Sequence, residues 1–161
     1  SYYTFDILSD YGSFRDLQRH RLMTIEWQKM NPELGFNFPD EVKKTPYENE
    51  CKELIAKSKE LYEKLEASFP HLKEYSLLFG HNIRYSMTMN VRQAFHLIEL
   101  RTAKQGHISY RKVCMKMHDQ IKDIAGHSNF YELMNFTDHE EYELQRLESE
   151  VKQAKKKENF N

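Results

Sequence analysis

The run Asn82-Ile83-Arg84-Tyr85-Ser86-Met87-Thr88-Met89-Asn90-Val91-Arg92-Gln93-Ala94-Phe95-His96-Leu97-Ile98-Glu99-Leu100-Arg101 changes its period halfway along. Up to Met89, the apolar Ile83, Tyr85, Met87 and Met89 alternate with Asn82, Arg84, Ser86 and Thr88, the repeat of a strand with one buried face. Asn90 can cap a helix. From there Val91, Ala94, Phe95, Leu97, Ile98 and Leu100 follow the helical repeat to about Ala103. They cover most of the circumference, so the spacing predicts a largely buried helix. Arg92, His96 and Glu99 share one narrow stripe of it, and Arg101 lies on a different side. A buried guanidinium needs a partner or a polar cavity. An internal Arg92–Glu99 or Arg101–carboxylate pair meets that need as well as a ligand does.

Toward the N-terminus, Tyr3, Phe5 and Ile7 alternate with Thr4, Asp6 and Leu8, a second strand with one apolar face. Asp10-Tyr11-Gly12-Ser13 reads as a turn, with Ser13 as the N-cap of a short helix. Phe14, Leu17 and Leu22 give that helix its stripe, and its second half carries Arg19, His20 and Arg21. Asn31 to Asp40 reads as a loop, with Phe36 and Phe38 in a brief extended segment. Thr45-Pro46-Tyr47-Glu48 spells a capping box with proline at the first helical position. The helix it opens carries Tyr47, Cys51, Leu54, Ile55, Leu61, Tyr62 and Leu65 and ends before Pro70. A shorter helix is expected from Leu72 to Phe79.

Toward the C-terminus, Gly106 breaks the signature helix. A further helix carries Tyr110, Val113, Cys114, Met117, Ile121 and Ile124 as far as Gly126. After a loop, Thr137-Asp138-His139-Glu140 spells a second capping box, opening a charged helix whose stripe is Leu144, Leu147, Val151 and Ala154. Such a narrow seam suits docking on another element or subunit, and the Lys155-Lys156-Lys157 tail should fray. The expected class is α+β: one helix-dominated domain over residues 1–136 with a small antiparallel sheet, then a charged helix and tail over 137–161.

Composition narrows the function. The 161 residues are one domain's worth, and 24 Lys and Arg against 25 Asp and Glu leave a net charge of -1. That gives no global basic field, so nucleic acid is not an expected partner and any anion site must be local. No apolar run is long enough to span a membrane and no signal peptide opens the chain. A cytoplasmic setting and a trimmed piece of a longer polypeptide are therefore the expectation. Cys51 and Cys114 fall on apolar helix positions with no C-x-x-C spacing, which suits reduced core thiols.

The Arg19-His20-Arg21 triplet could simply complement a helix C-terminus. Taken with the Asn90–Arg101 cluster, it would supply guanidinium forks and imidazoles suited to a pyrophosphate or an electron-rich carbonyl. That is a nucleotide-cofactor site more than a metal site. His107 and His118 could share a helix face, but no carboxylate joins them at ligand spacing, so no metal is expected. No Gly-rich phosphate loop and no G-x-S-x-G elbow occurs.

Arg15-Asp16-Leu17-Gln18-Arg19-His20-Arg21-Leu22-Met23-Thr24 resembles the Arg-Gln-x-x-Arg-His-Arg hallmark of the flavin-dependent thymidylate synthases. Asn90-Val91-Arg92, His96 and Leu100-Arg101 are similar to that family's second signature. The order strand, Arg-His-Arg helix, long helix, strand and signature helix matches as well, so the likeness runs from about Tyr2 to Ile124. The phrase from Asp10 to Arg21, Gly106-His107, Tyr110-Arg111 and the Leu-Glu-rich end resemble the second half of a longer subgroup with two fused synthase-like halves. The resemblance implies synthesis of thymidylate from deoxyuridylate, with methylenetetrahydrofolate as methylene donor, FAD as hydride carrier and NADPH as reductant. It implies that Arg19, His20, Arg21, Asn90, Arg92 and His96 hold FAD, and that Thr24 and Arg101 meet the nucleotide. Arg101 would stabilise charge on the activated pyrimidine. It also implies a homotetramer with each flavin between subunits, or a fused partner half.

Departures from the family pattern sharpen the alternatives. Asp16 stands where the family has glutamine. After Thr24 the family has Asn-Glu-x-Ser-x-Arg, whereas this chain reads Glu26-Trp27-Gln28-Lys29-Met30-Asn31. The arginine expected before the second strand is missing, with only Lys73 nearby. Acids at Asp16 or Glu26 would repel a nucleotide phosphate, so flavin binding is the firmer expectation. A catalytically silent flavin-holding or structural half, and a relative acting on another pyrimidine nucleotide, are the competing readings.

Overall fold

The structure, a computed structural model, describes residues 1–141 and Val151. It divides into two compact units. One comprises Thr4–Thr88, the other Ser1–Tyr3 with the chain from Met89 onward.

Strand β1 (Tyr2–Asp10) buries Tyr3, Phe5 and Ile7 and turns Tyr2, Thr4, Asp6 and Leu8 outward. Strand β3 (Asn82–Asn90) buries Ile83, Tyr85, Met87 and Met89. Period-2 alternation leaves only one register that hides these side chains, and for that reason both strands were legible. Between them in sequence lies β2 (Thr24–Trp27), which pairs antiparallel with β3, Ile25 opposite Met87 and Trp27 opposite Tyr85. The sheet is three-stranded and antiparallel in the order β1-β3-β2. Cross-strand pairs fix β1 on β3: the Thr4 and Thr88 hydroxyls meet at 2.9 Å, and Arg84 grips both oxygens of Asp6 at 3.0 and 2.6 Å. The fold class expected from the sequence is the one observed.

In the Thr4–Thr88 unit, β1 runs straight into helix α1 (Tyr11–Leu17) with no intervening turn. Its N-cap is Asp10, not Ser13. One Asp10 carboxylate oxygen accepts from the Ser13 amide and the other from the Ser13 hydroxyl, both at 2.8 Å, and Asn37 Nδ2 donates to the latter oxygen at 3.1 Å. Leu17 is fully buried, and the Phe14 ring meets Tyr85 edge-on at 4.9 Å. Leu22, by contrast, is 77% exposed and α1 ends at Leu17.

A one-turn helix, α2 (Asp40–Lys43), precedes the long α3 (Glu48–Ser68). The expected capping box at Thr45 does not form. Tyr47 is the N-cap without a side-chain bond, and the Thr45 hydroxyl donates to the Val42 carbonyl instead. Tyr62 buries its ring, whereas Tyr47, Leu54 and Leu61 are exposed on this chain. Lys73–Ser76 form a 3-10 turn rather than the longer helix expected there. Phe36 bridges to His81 as an isolated β-pair, and its ring lies so close over Gly80 that no Cβ fits between them.

In the other unit, α4 (Val91–Thr102) is capped as the sequence predicts, Asn90 Oδ1 accepting from the Gln93 amide at 2.9 Å. Helix α5 (Ile108–Asp123) buries Cys114, Met117 and Ile121, but Ile124 lies past its end and is exposed. A short α6 (Ser128–Leu133) occupies the expected loop. Residues 137–141 are not helical, so the second capping box does not open a helix there. The rest of the expected seam, except the exposed Val151, lies outside the described residues. No helix among the described residues is long and apolar enough to cross a membrane.

Candidate functional site

Each basic cluster belongs to a different unit. In the Thr4–Thr88 unit, the Arg19-His20-Arg21 triplet sits in the segment joining α1 to β2, beyond the helix end. The expected position on the second half of the helix is therefore corrected. Phe14 and Leu17 satisfy the core, Leu22 does not, and the chain leaves the helix at Gln18. Arg19 and Arg21 are exposed and His20 is half-buried. Arg19 pairs with Asp16 at 3.2 Å, so the acid that departs from the family pattern holds the first arginine of the triplet. Thr24 opens β2 opposite Thr88 and is exposed, as is Glu26. Residues 24–27, which open the segment that departs from the family pattern, are thus a strand.

In the other unit, α4 buries Gln93, Ala94, Leu97, Ile98 and Thr102, a narrower stripe than the sequence suggested. Arg92 and His96, one turn apart, are exposed, so neither pays the desolvation cost that a fully buried helix would impose. The expected burial of these groups is corrected by the helix's orientation within its unit. Leu100, at 51% exposure, lies on the open side with them. Asn90 is exposed, its carboxamide oxygen committed to the cap. Glu99, the suggested partner of Arg92, accepts from the Phe136 amide at 3.2 Å. Arg101 is half-buried, its guanidinium 5.5 Å from the centre of the Tyr110 ring, a cation–π distance.

Two arrangements went unread in the sequence. Arg111 is 1% exposed yet satisfied: Nε donates to the Thr102 carbonyl at 2.8 Å and Nη2 to the Glu140 carbonyl at 2.9 Å. Its spacing with Cys114 and His118 on α5 placed it on the buried stripe and could have revealed it. His118 bonds His139 across the chain fold at 2.8 Å, with Asp119 close by. His107, expected to share a face with His118, instead caps α5, its Nδ1 accepting from the Ser109 amide. Burial pushes the Cys114 thiol up to about 12, which leaves it protonated and unreactive.

Residues 1–127 match the family model described as thymidylate synthase complementing protein. A UPF0159 protein of Chlamydia muridarum is 36% identical over 148 residues, covering 92% of this chain and 28% of that protein. A UPF0159 protein of Thermoplasma acidophilum is 30% identical over 152 residues, covering 93% of this chain and 30% of its own length. The chain thus spans less than a third of the curated relatives it matches. Among solved structures, a UMP/dUMP methylase from Streptomyces cacaoi bound with 5-Br UMP superposes with a TM-score of 0.67 at 14% identity, covering 84% of this chain and 76% of that one. At that identity the match speaks for the fold. The chain belongs to the thymidylate synthase complementing protein family.

Proposed function

We propose that this chain is the nucleotide-handling module of a flavin-dependent pyrimidine methyltransferase of the thymidylate synthase type. The observation that carries the reading is the Asn90-capped α4, which holds Arg92 and His96 exposed one turn apart in a chain of this family. Arg19, His20 and Arg21 join Asn90, Arg92 and His96 in holding FAD, and Thr24 and Arg101 meet deoxyuridylate or another pyrimidine nucleotide. The residues fit an anionic cofactor: Arg19, Arg21, Arg92 and His96 are exposed, and Arg19 already pairs with one carboxylate, that of Asp16. Bound FAD supplies hydride transfer, with NADPH as reductant and methylenetetrahydrofolate as carbon donor.

The chain's own groups bind and polarise. Arg92 and the triplet would supply charge-assisted hydrogen bonds to an anionic cofactor such as FAD. Arg101 faces the pyrimidine, where a fixed cation stabilises negative charge on a ring carbonyl as the ring is activated. A homotetramer, or a fused synthase-like half, completes the site, and the synthase-like domain ends near residue 136 ahead of a charged 137–161 segment. The Asp16–Arg19 pair and the exposed Glu26 favour a second reading, a flavin-holding half without synthase activity.

Absorbance in the flavin region, followed by deoxyuridylate titration, tests this. Bound flavin whose spectrum shifts with nucleotide supports the synthase. Bound flavin without a shift supports the silent half, and no flavin uptake refutes both. Arg92→Ala should release flavin with a stability change within about 0.5 kcal/mol, as expected for an exposed side chain.

A further inference from the structure

We propose a transition-metal site built from His118, His139 and Asp119, within one unit and independent of the flavin reading. One ligand atom from each of the three lies within 4.8 Å of the others. His118 and Asp119 are neighbours on α5, while His139 arrives from the irregular segment after α6.

The tautomer of His118 follows from its partners. Its Nε2 lies 3.0 Å from the Tyr131 carbonyl, which can only accept, so Nε2 carries the proton. Nδ1 then presents a lone pair toward His139 Nε2 at 2.8 Å. An imidazole anchored by one N–H on a backbone carbonyl, with the other nitrogen free to donate electrons, is how outer-shell contacts orient metal-binding histidines. Stacking on the Tyr131 ring, 3.9 Å away and 11° from parallel, fixes the plane.

Two of the three ligand separations lie near those of a metal site, and Asp119 must draw in toward His118 from as much as 4.8 Å. Two nitrogens on one tetrahedral zinc stand roughly 3.4 Å apart, given zinc–nitrogen bonds of about 2.05 Å. The 2.8 Å imidazole contact must therefore open by about half an ångström, and the 3.9 Å between His139 Nε2 and Asp119 Oδ1 must close by a similar amount. His139 is partly exposed and outside any helix, so it can move. Metal binding moves the His139 proton from Nε2 to Nδ1, leaving both rings neutral. Two imidazoles and a carboxylate favour Zn2+ and neighbouring transition ions over Mg2+ or Ca2+, and leave a coordination position for water.

The test is Zn2+ binding to the full chain by competition with a chromogenic chelator, with Co2+ as a spectroscopic substitute. One equivalent of Zn2+ and visible tetrahedral Co2+ bands are expected. His139→Gln and Asp119→Asn, both at accessible positions, should each weaken Zn2+ binding at least about tenfold while far-ultraviolet dichroism is retained. His71→Gln, an exposed histidine elsewhere, should change nothing. If the parent binds no Zn2+, or if His139→Gln binds as tightly as the parent, the assignment is overturned.

Discussion

Arg111 and Thr102 join two helices through one bond: the guanidinium Nε on α5 donates to the last carbonyl of α4 at 2.8 Å. The Thr102 hydroxyl donates back to the Ile98 carbonyl and accepts from the Asp138 amide, while Arg111 Nη2 reaches the Glu140 carbonyl. One buried cation thereby satisfies main-chain oxygens that would otherwise be orphaned at a helix end. It fixes the helix end that carries Arg101.

Arg111→Leu should destabilise the chain by about 3 kcal/mol, because the buried Thr102 carbonyl and the part-buried Glu140 carbonyl lose a charged donor. Urea unfolding followed by dichroism reads this directly. Arg111→Lys keeps the charge but not the fork, and should recover only part of the loss.

Asp10→Ala removes the N-cap of α1 together with the Asn37 contact. A cost of about 1–2 kcal/mol is expected. The segment after α1 should loosen, so trypsin should cut after Arg19 and Arg21 faster than in the parent. Equal cleavage rates would show that Asp10 does not control that segment.

His81 is 1% exposed, and its Nδ1 accepts from the Leu78 amide at 3.0 Å. Burial holds the imidazole below its ordinary value of about 6.5. The unfolded chain therefore binds the proton more readily, and stability rises with pH through this window. Stability is full above about pH 6.5 and falls on acidification toward the folded value of His81. The urea midpoint measured from pH 8 down to 5 should show that fall. His81→Gln should flatten it in part, with His118, depressed in the same direction by burial, supplying a remaining slope.

Cys114 is fully buried with its thiol held protonated, whereas Cys51 is half-buried. A thiol reagent at neutral pH should modify Cys51 first and Cys114 only on unfolding. Peptide mapping after brief labelling checks the order.

Strands β1 and β3 and helices α4 and α5 were legible because long runs repeat one period against one buried face. Strand β2 was not, since Thr24-Ile25-Glu26-Trp27 alternates over only four residues and leaves only Ile25 half-buried at the sheet edge. At the start of α1, Asp10 and Ser13 are both good caps, and only the direct passage from β1 into the helix decides between them. Leu22 extended the apolar stripe on paper and so drew the Arg19-His20-Arg21 triplet into a helix. The Asn90 cap and the shared face of Arg92 and His96 followed from spacing. Their exposure did not, because apolar residues around a whole helix cannot say which side stays open. The approach of His139 to His118 is a long-range contact with no local signal.

Arg111 grips the 138–140 segment through the main-chain oxygens of Asp138 and Glu140 and through the Asp138 carboxylate at 3.6 Å, so at position 140 it recognises where the chain goes rather than which side chain it bears. Position 140 is therefore free to drift among most amino acids. Proline is the exception, since the Glu140 amide donates to Asp138 Oδ1 at 2.9 Å and an imino acid has no hydrogen to give.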